Sequence, residues 1–132
     1  MEDTVFTKII KRELPAEILY EDDTVIVILN RFPNTEGETL VITKEQLPYF
    51  VDLSPTTYAH LMKITQDMAR ALDTTFSTLR TCVVIEGFDV PHVHVRLYPI
   101  VDGHLSIAHG AEADTETLAK IGEQIRANIH IS

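Results

Sequence analysis

The stretch VPHVHVRLYP, residues 90–99, carries two periodicities at once. Side chains on a strand alternate between faces, so Val93, Val95 and Leu97 point one way and His92, His94 and Arg96 the other. The apolar row is fit for a core. The polar row sets neighbouring groups about 6.6 Å apart at roughly 3.3 Å per residue, close enough for adjacent members to grip one small ligand. A polar row on the solvated face of a half-buried strand is the ordinary alternative, and what surrounds the stretch decides between them.

Working outward, the same rule of short, β-branched runs bounded by turn formers gives four more strands. These are EILYE (17–21), TVIVIL (24–29), ETLVIT (38–43) and LRTCVVIEG (79–87). The last is joined to the opening stretch by the tight GFDVP segment. VFTKIIK (5–11) is a short amphipathic helix with Phe6, Ile9 and Ile10 on its apolar side. LSPTTYAHLMKITQDMARAL (53–72) starts with Ser54 as N-cap and Pro55 at the first helical position, and repeats Leu61, Ile64, Met68 and Leu72 at helical spacing. DTETLAKIGEQIRANI (114–129) is a third helix, capped by Asp114. This order predicts an α+β domain around a mostly antiparallel five-stranded sheet, with a long central helix and helices at both ends.

The chain has 132 residues, 45% of them apolar, with no repeat and no low-complexity break, so residues 1–132 are expected to form a single domain. The run VIVIL (25–29) is far short of the roughly 20 residues a membrane helix needs, and the start MEDT lacks a basic signal region. A cytoplasmic protein with no membrane partner is expected. A formal net charge of −9 repels polyanions, which argues against nucleic acid as a partner but leaves room for a small anion held by local donors. Cys82, inside TCVVI, reads as a buried structural thiol. His60, His104, His109 and His130 read as solvated, although the loop DGHLSIAHG (102–110) follows the opening strand and can reach the mouth of a site there.

Three separated stretches together resemble the histidine-triad (HIT) family of nucleotide hydrolases and transferases. FTKIIKRELPAEILYEDDTVIVIL (6–29) is similar to the family's opening, LNRFPNTEGETLVITKE (29–45) to its central loop and strand, and EGFDVPHVHVRLYP (86–99) to its His-x-His-x-His signature. The resemblance implies a HIT-like fold, a homodimer, and a small-molecule nucleotide as partner. No cofactor is expected. By this matching His94 is the nucleophile that attacks the α-phosphorus, and the backbone carbonyl of His92 holds its other ring nitrogen. Neutral imidazole suits the task because it is available near pH 7 and can leave again. Phe6, Ile9 and Ile28 would line a base pocket, or simply pack in the core, and Asn30 takes the place of a ribose-binding residue.

Four positions depart from the family pattern. The third signature histidine is Arg96, and a loop histidine is Glu38. Phe88 and Asp89 stand where a Gln and a Ser or Thr usually hold phosphate. A carboxylate 4 Å from a phosphate is repelled by about 1 kcal/mol in water and about 4 kcal/mol at an effective dielectric of 20, so Glu38 and Asp89 disfavour an ordinary phosphate site. A paired exchange resolves part of this, with Glu38 and Arg96 forming an ion pair and Arg96 keeping donors for a phosphate oxygen. Thr4 and Thr7 replace the Cys-x-x-Cys that helps bind zinc in many bacterial relatives, so that zinc site is not expected. Three functions stay open: a hydrolase or transferase acting on a nucleoside phosphoramidate or dinucleoside polyphosphate through nucleotidyl-His94; a degenerate module binding a nucleotide or protein; and a metal site at His92 and His94 with Asp89 or Glu38.

Overall fold

A computed structural model describes all 132 residues. Helix α1 (Val5–Ile10) leads into strands β1 (Ile18–Glu21), β2 (Val25–Leu29) and β3 (Thr39–Thr43). The long helix α2 (Pro55–Phe76), strands β4 (Arg80–Val84) and β5 (His94–Ile100), and helix α3 (Thr115–Arg126) follow. The five strands form one antiparallel sheet in the order β1-β2-β3-β5-β4. Every expected element is present, and a short 3-10 turn at Phe50–Asp52 is added.

Two differently built layers cover the sheet. On one face Val25, Val27, Val41, Val95 and Leu97 join the α2 residues Leu61, Ile64, Met68 and Leu72 in the main core. Ser54 starts α2 as expected, its hydroxyl accepting from the Thr57 N–H at 3.1 Å with Pro55 at the first turn. On the other face a smaller cluster of Ile26, Ile28, Leu40 and Ile42 lies under Phe6 and Ile9 of α1. The register pairs Leu40 with Arg96 and Ile42 with His94, which puts the polar row of β5 on this second face. The row is therefore not solvated: all seven residues of β5 are buried.

The alternation read from residues 90–99 accordingly sorts side chains between two covered faces, not between core and water. Cys82 sits in the edge strand β4 and is only partly buried. The fully buried thiol expected there is not what the fold provides. His60 is also not simply solvated: its Nε2 lies 2.7 Å from Asp22 Oδ2. Burial would raise the Asp22 carboxyl, but bonds from His60 and from the Val25 and Thr24 N–H groups prevail and hold it at about 2. No helix is long and apolar enough to cross a membrane.

Candidate active site

A chain of directional hydrogen bonds runs from α1 to His94. Its sense is fixed by groups that can only accept: the Thr43 carbonyl lies 2.7 Å from His92 Nε2, so that nitrogen carries the proton of a neutral ring. His92 Nδ1 is then an acceptor, 2.8 Å from Thr4 Oγ1. Thr7 cannot compete, because its hydroxyl donates to Gln46 Oε1 at 2.6 Å. Thr4 is also the N-cap of α1 and forms a reciprocal capping box with Thr7. One hydroxyl thus starts the helix and donates to the His92 ring, whose tautomer the Thr43 carbonyl sets.

The chain continues through the backbone. His94 Nδ1 donates to the His92 carbonyl at 2.7 Å, which leaves Nε2 with its lone pair and no protein partner among these bonds. Phe6 packs edge-on against His94, ring centroids 4.8 Å apart, and against His92 at 5.8 Å. Burial holds both imidazoles below the usual histidine value; for His94 it prevails over the His92 carbonyl and Glu86, which favour the cation. A neutral, tautomer-fixed imidazole results.

His94 is 4% exposed, yet it lines a cavity of about 510 Å³, within the range of small-ligand pockets. Phe6, Ile9, Ile28 and Asn30 line the same cavity, as do Asp89 and Arg96. The expected site residues converge there with three exceptions. Phe88 is 91% exposed and does not line it: the chain turns outward at Gly87 (φ 69°), and the Phe88 N–H bonds back to Glu86 Oε2 at 2.7 Å. Glu38 is buried beneath the site, against an adjacent cavity of about 200 Å³. His92 contributes its carbonyl, while its ring stays outside the pocket.

The Glu38–Arg96 pair forms, with Arg96 Nε 3.5 Å from Glu38 Oε2. Glu38 also accepts from Asn30 Nδ2 at 2.6 Å and from the Asn34 N–H at 2.9 Å. Its carboxylate is thus fully engaged away from the cavity. Arg96 is 3% exposed; beyond Glu38 it faces Glu86 at 3.8 Å and donates from Nη2 to the Ile107 carbonyl at 3.0 Å. Its guanidinium also lies 5.3 Å from the Tyr98 ring centre. The metal reading fails on geometry, since both ring nitrogens of His92 are occupied and no three His, Cys, Asp or Glu side chains converge. Thr4 and Thr7 likewise spend their hydroxyls on hydrogen bonds and offer no thiolate for zinc.

Two residues outside the expected set also reach the site, one of them from the loop DGHLSIAHG that the sequence places near its mouth. Glu86 lines the cavity, and so does His109, whose Nε2 lies 2.8 Å from Asp89 Oδ2. Glu86 follows the strand β4 and was hidden in a run read as strand. His109 sits 15 residues beyond His94 in a segment without periodicity, and only the loop's path brings it back.

Residues 11–102 match the model of the HIT domain. The chain belongs to the HIT family. An uncharacterized HIT-like protein of Borreliella burgdorferi is 32% identical over 106 residues, which cover 75% of this chain and 76% of that protein. An adenosine 5'-monophosphoramidase of Saccharomyces cerevisiae is 29% identical over 129 residues, 95% of this chain and 82% of the yeast protein. Among solved structures, a Hit-like protein of Bartonella henselae superposes with a TM-score of 0.86 at 27% identity, covering 96% of each chain. His94 opens β5 and His92 lies just before it, with Arg96 in the third position of the signature.

Proposed function

We propose that this HIT protein is a hydrolase or nucleotidyl transferase acting on a nucleoside 5'-phosphoramidate, with His94 Nε2 attacking the α-phosphorus. The observation that carries the reading is the bond from His94 Nδ1 to the carbonyl of His92, itself held by Thr4 and Thr43, which leaves Nε2 free on a ring whose residue lines the cavity. Attack forms an Nε2–P bond and expels the amine; water or another acceptor then displaces the imidazole. Phe6, Ile9 and Ile28 supply the apolar walls for a base, and Asn30 keeps a second amide hydrogen for a ribose hydroxyl. Arg96 retains N–H groups for a non-bridging oxygen of the phosphate.

Phosphoramidate is favoured over dinucleoside polyphosphate by charge. Glu86 and Asp89 both line the cavity, and each added phosphate meets the repulsion estimated above. The yeast monophosphoramidase supports the same choice. The homodimer expected of a HIT protein belongs to this reading; β4 lies at a free sheet edge with Val83 exposed, and light scattering at the mass of two chains would support it. A second reading, nucleotide binding without turnover, draws on Arg96 being engaged by Glu38, Glu86 and the Ile107 carbonyl. A fluorogenic adenosine phosphoramidate separates the two. Turnover by the native protein and none by His94→Ala supports the enzyme, whereas calorimetric binding of adenosine monophosphate with equal, negligible turnover by both supports the binder.

A further inference from the structure

The HIT pattern leaves this site with His94 but without the histidines at positions 38 and 96, and nothing in the Thr4–His92–His94 chain delivers a proton to a leaving group. An alkylamine departing from phosphorus needs one, because its anion is far too basic to leave. The ring that reaches the cavity from outside the signature is His109. Three observations bear on it together.

First, its backbone is seated rather than loose. Arg96 Nη2 donates to the Ile107 carbonyl at 3.0 Å, and Asn34 Nδ2 to the Ala108 carbonyl at 2.9 Å. Beyond the histidine, the Gly110 N–H bonds to the Phe32 carbonyl at 3.1 Å and the Ala113 N–H to the Arg31 carbonyl at 2.8 Å. The approach at Gly110 is so close that a Cβ there would stand 1.9 Å from the Pro33 carbonyl oxygen. The segment is a strap laid across the loop 31–34, and the arginine that replaced a histidine holds one end of it. Second, Asp89 accepts from Nε2 of the ring at 2.8 Å, which leaves Nδ1 as the nitrogen for proton exchange. A carboxylate on one imidazole nitrogen orients the ring for transfer at the other. Third, His109, Asp89 and His94 line one cavity.

We propose that His109 is the general acid and base of this site, oriented by Asp89 and held over the cavity by the strap that Arg96 and Asn34 pin down. The inference rests on His94 being the nucleophile. In the first step the His94 Nε2 lone pair forms a bond to phosphorus, the P–N bond to the amine breaks, and the departing nitrogen takes the proton from His109 Nδ1. In the second, a water oxygen attacks phosphorus and gives its proton to His109 Nδ1 while the P–Nε2 bond breaks, its electron pair returning to His94. Nucleoside monophosphate leaves, and both rings end as they began. On this account Asp89 belongs to the acid-base pair, which gives a carboxylate a reason to stand where the family places a phosphate-binding hydroxyl.

The test uses two substrates under single-turnover conditions: an adenosine 5'-phosphoramidate of an alkylamine, which needs an acid, and the 4-nitrophenyl ester of adenosine monophosphate, whose leaving group does not. For His109→Gln the ratio of the amidate rate to the ester rate is expected to fall by about 100-fold or more relative to the native protein. Asp89→Asn should lower the same ratio by a smaller factor. A ratio within about 3-fold of the native value in both variants, whether the rates fall together or not at all, would overturn the assignment and leave His109 a structural residue of the strap. Failure of the underlying reading looks different: native protein inert toward both substrates, or consuming them as fast with His94→Ala, removes the nucleophile and this proposal with it.

Discussion

His94 and Arg96 stand two residues apart on the same face of β5 and are held in opposite ways. His94 is fixed by neutral, directional hydrogen bonds, passed from Thr4 through His92, and is kept uncharged by burial. Arg96 is fixed by charge, with Glu38 at 3.5 Å and Glu86 at 3.8 Å, and by a carbonyl of a distant loop. One end of the row is an imidazole held in one tautomer by a carbonyl; the other is a joint between the sheet, the loop 31–38 and the strap over the cavity. A buried guanidinium serves as a joint better than an imidazole does, since it stays charged and offers five donors.

The comparison breaks most visibly if the two residues are removed in turn. His94→Ala should abolish turnover of a phosphoramidate, a loss on the order of 10⁴-fold or more in kcat, with the urea midpoint changed far less than the rate. Arg96→Met should act on folding: it leaves Glu38 buried beside two amides with no countercharge, and unfolding in urea should show a loss of about 3–5 kcal/mol. Adding Glu38→Gln to that variant should recover part of it. If the double variant is no better than the single one, the pair does not hold the site as described.

Thr4→Val sharpens the other end. Loss of the cap and of the bond to His92 should lower stability by about 1–2 kcal/mol, and nitrogen chemical shifts should show His92 Nδ1 without its donor while the Thr43 carbonyl keeps the proton on Nε2. The pH dependence follows from the same burial. Both histidines have folded values lowered from 6.5, so the unfolded chain takes up protons first as pH falls. Their contribution to stability is complete above pH 6.5 and is lost below it, and the urea midpoint should drop between pH 7.5 and 5.5 by less in His94→Asn than in the native protein. The smallest effect belongs to Phe88→Ala, which should change turnover by less than about 2-fold because the ring is exposed and off the cavity. A large effect there would restore the role that matching to the family pattern assigned to it.

What could be read in advance divides along the same line. The alternation of residues 92–97, the Ser54–Pro55 helix start and the exchange of two histidines for an acid and a base are all local patterns, and the two faces of β5, the start of α2 and the Glu38–Arg96 pair follow from them. Burial of the polar row depends on α1 folding back over the sheet, which the row itself does not encode. Phe88 was misplaced because spacing along the chain says nothing of the outward turn at Gly87. His109 was passed over for a related reason: its position is set by bonds to the backbone carbonyls of Arg31 and Phe32 and by Asn34 reaching Ala108. Main-chain acceptors leave no mark in the identity of a residue.

The central claim is that the free nitrogen of His94 takes the nucleotidyl group. Rapid acid-free quenching of the protein with an adenosine phosphoramidate, followed by mass spectrometry of the intact chain and its peptides, tests it directly. The account predicts a transient gain of one nucleoside monophosphoryl group, located on His94 and absent from His94→Ala. Substrate consumed with no adduct at any quench time, or an adduct on a different residue, would contradict it.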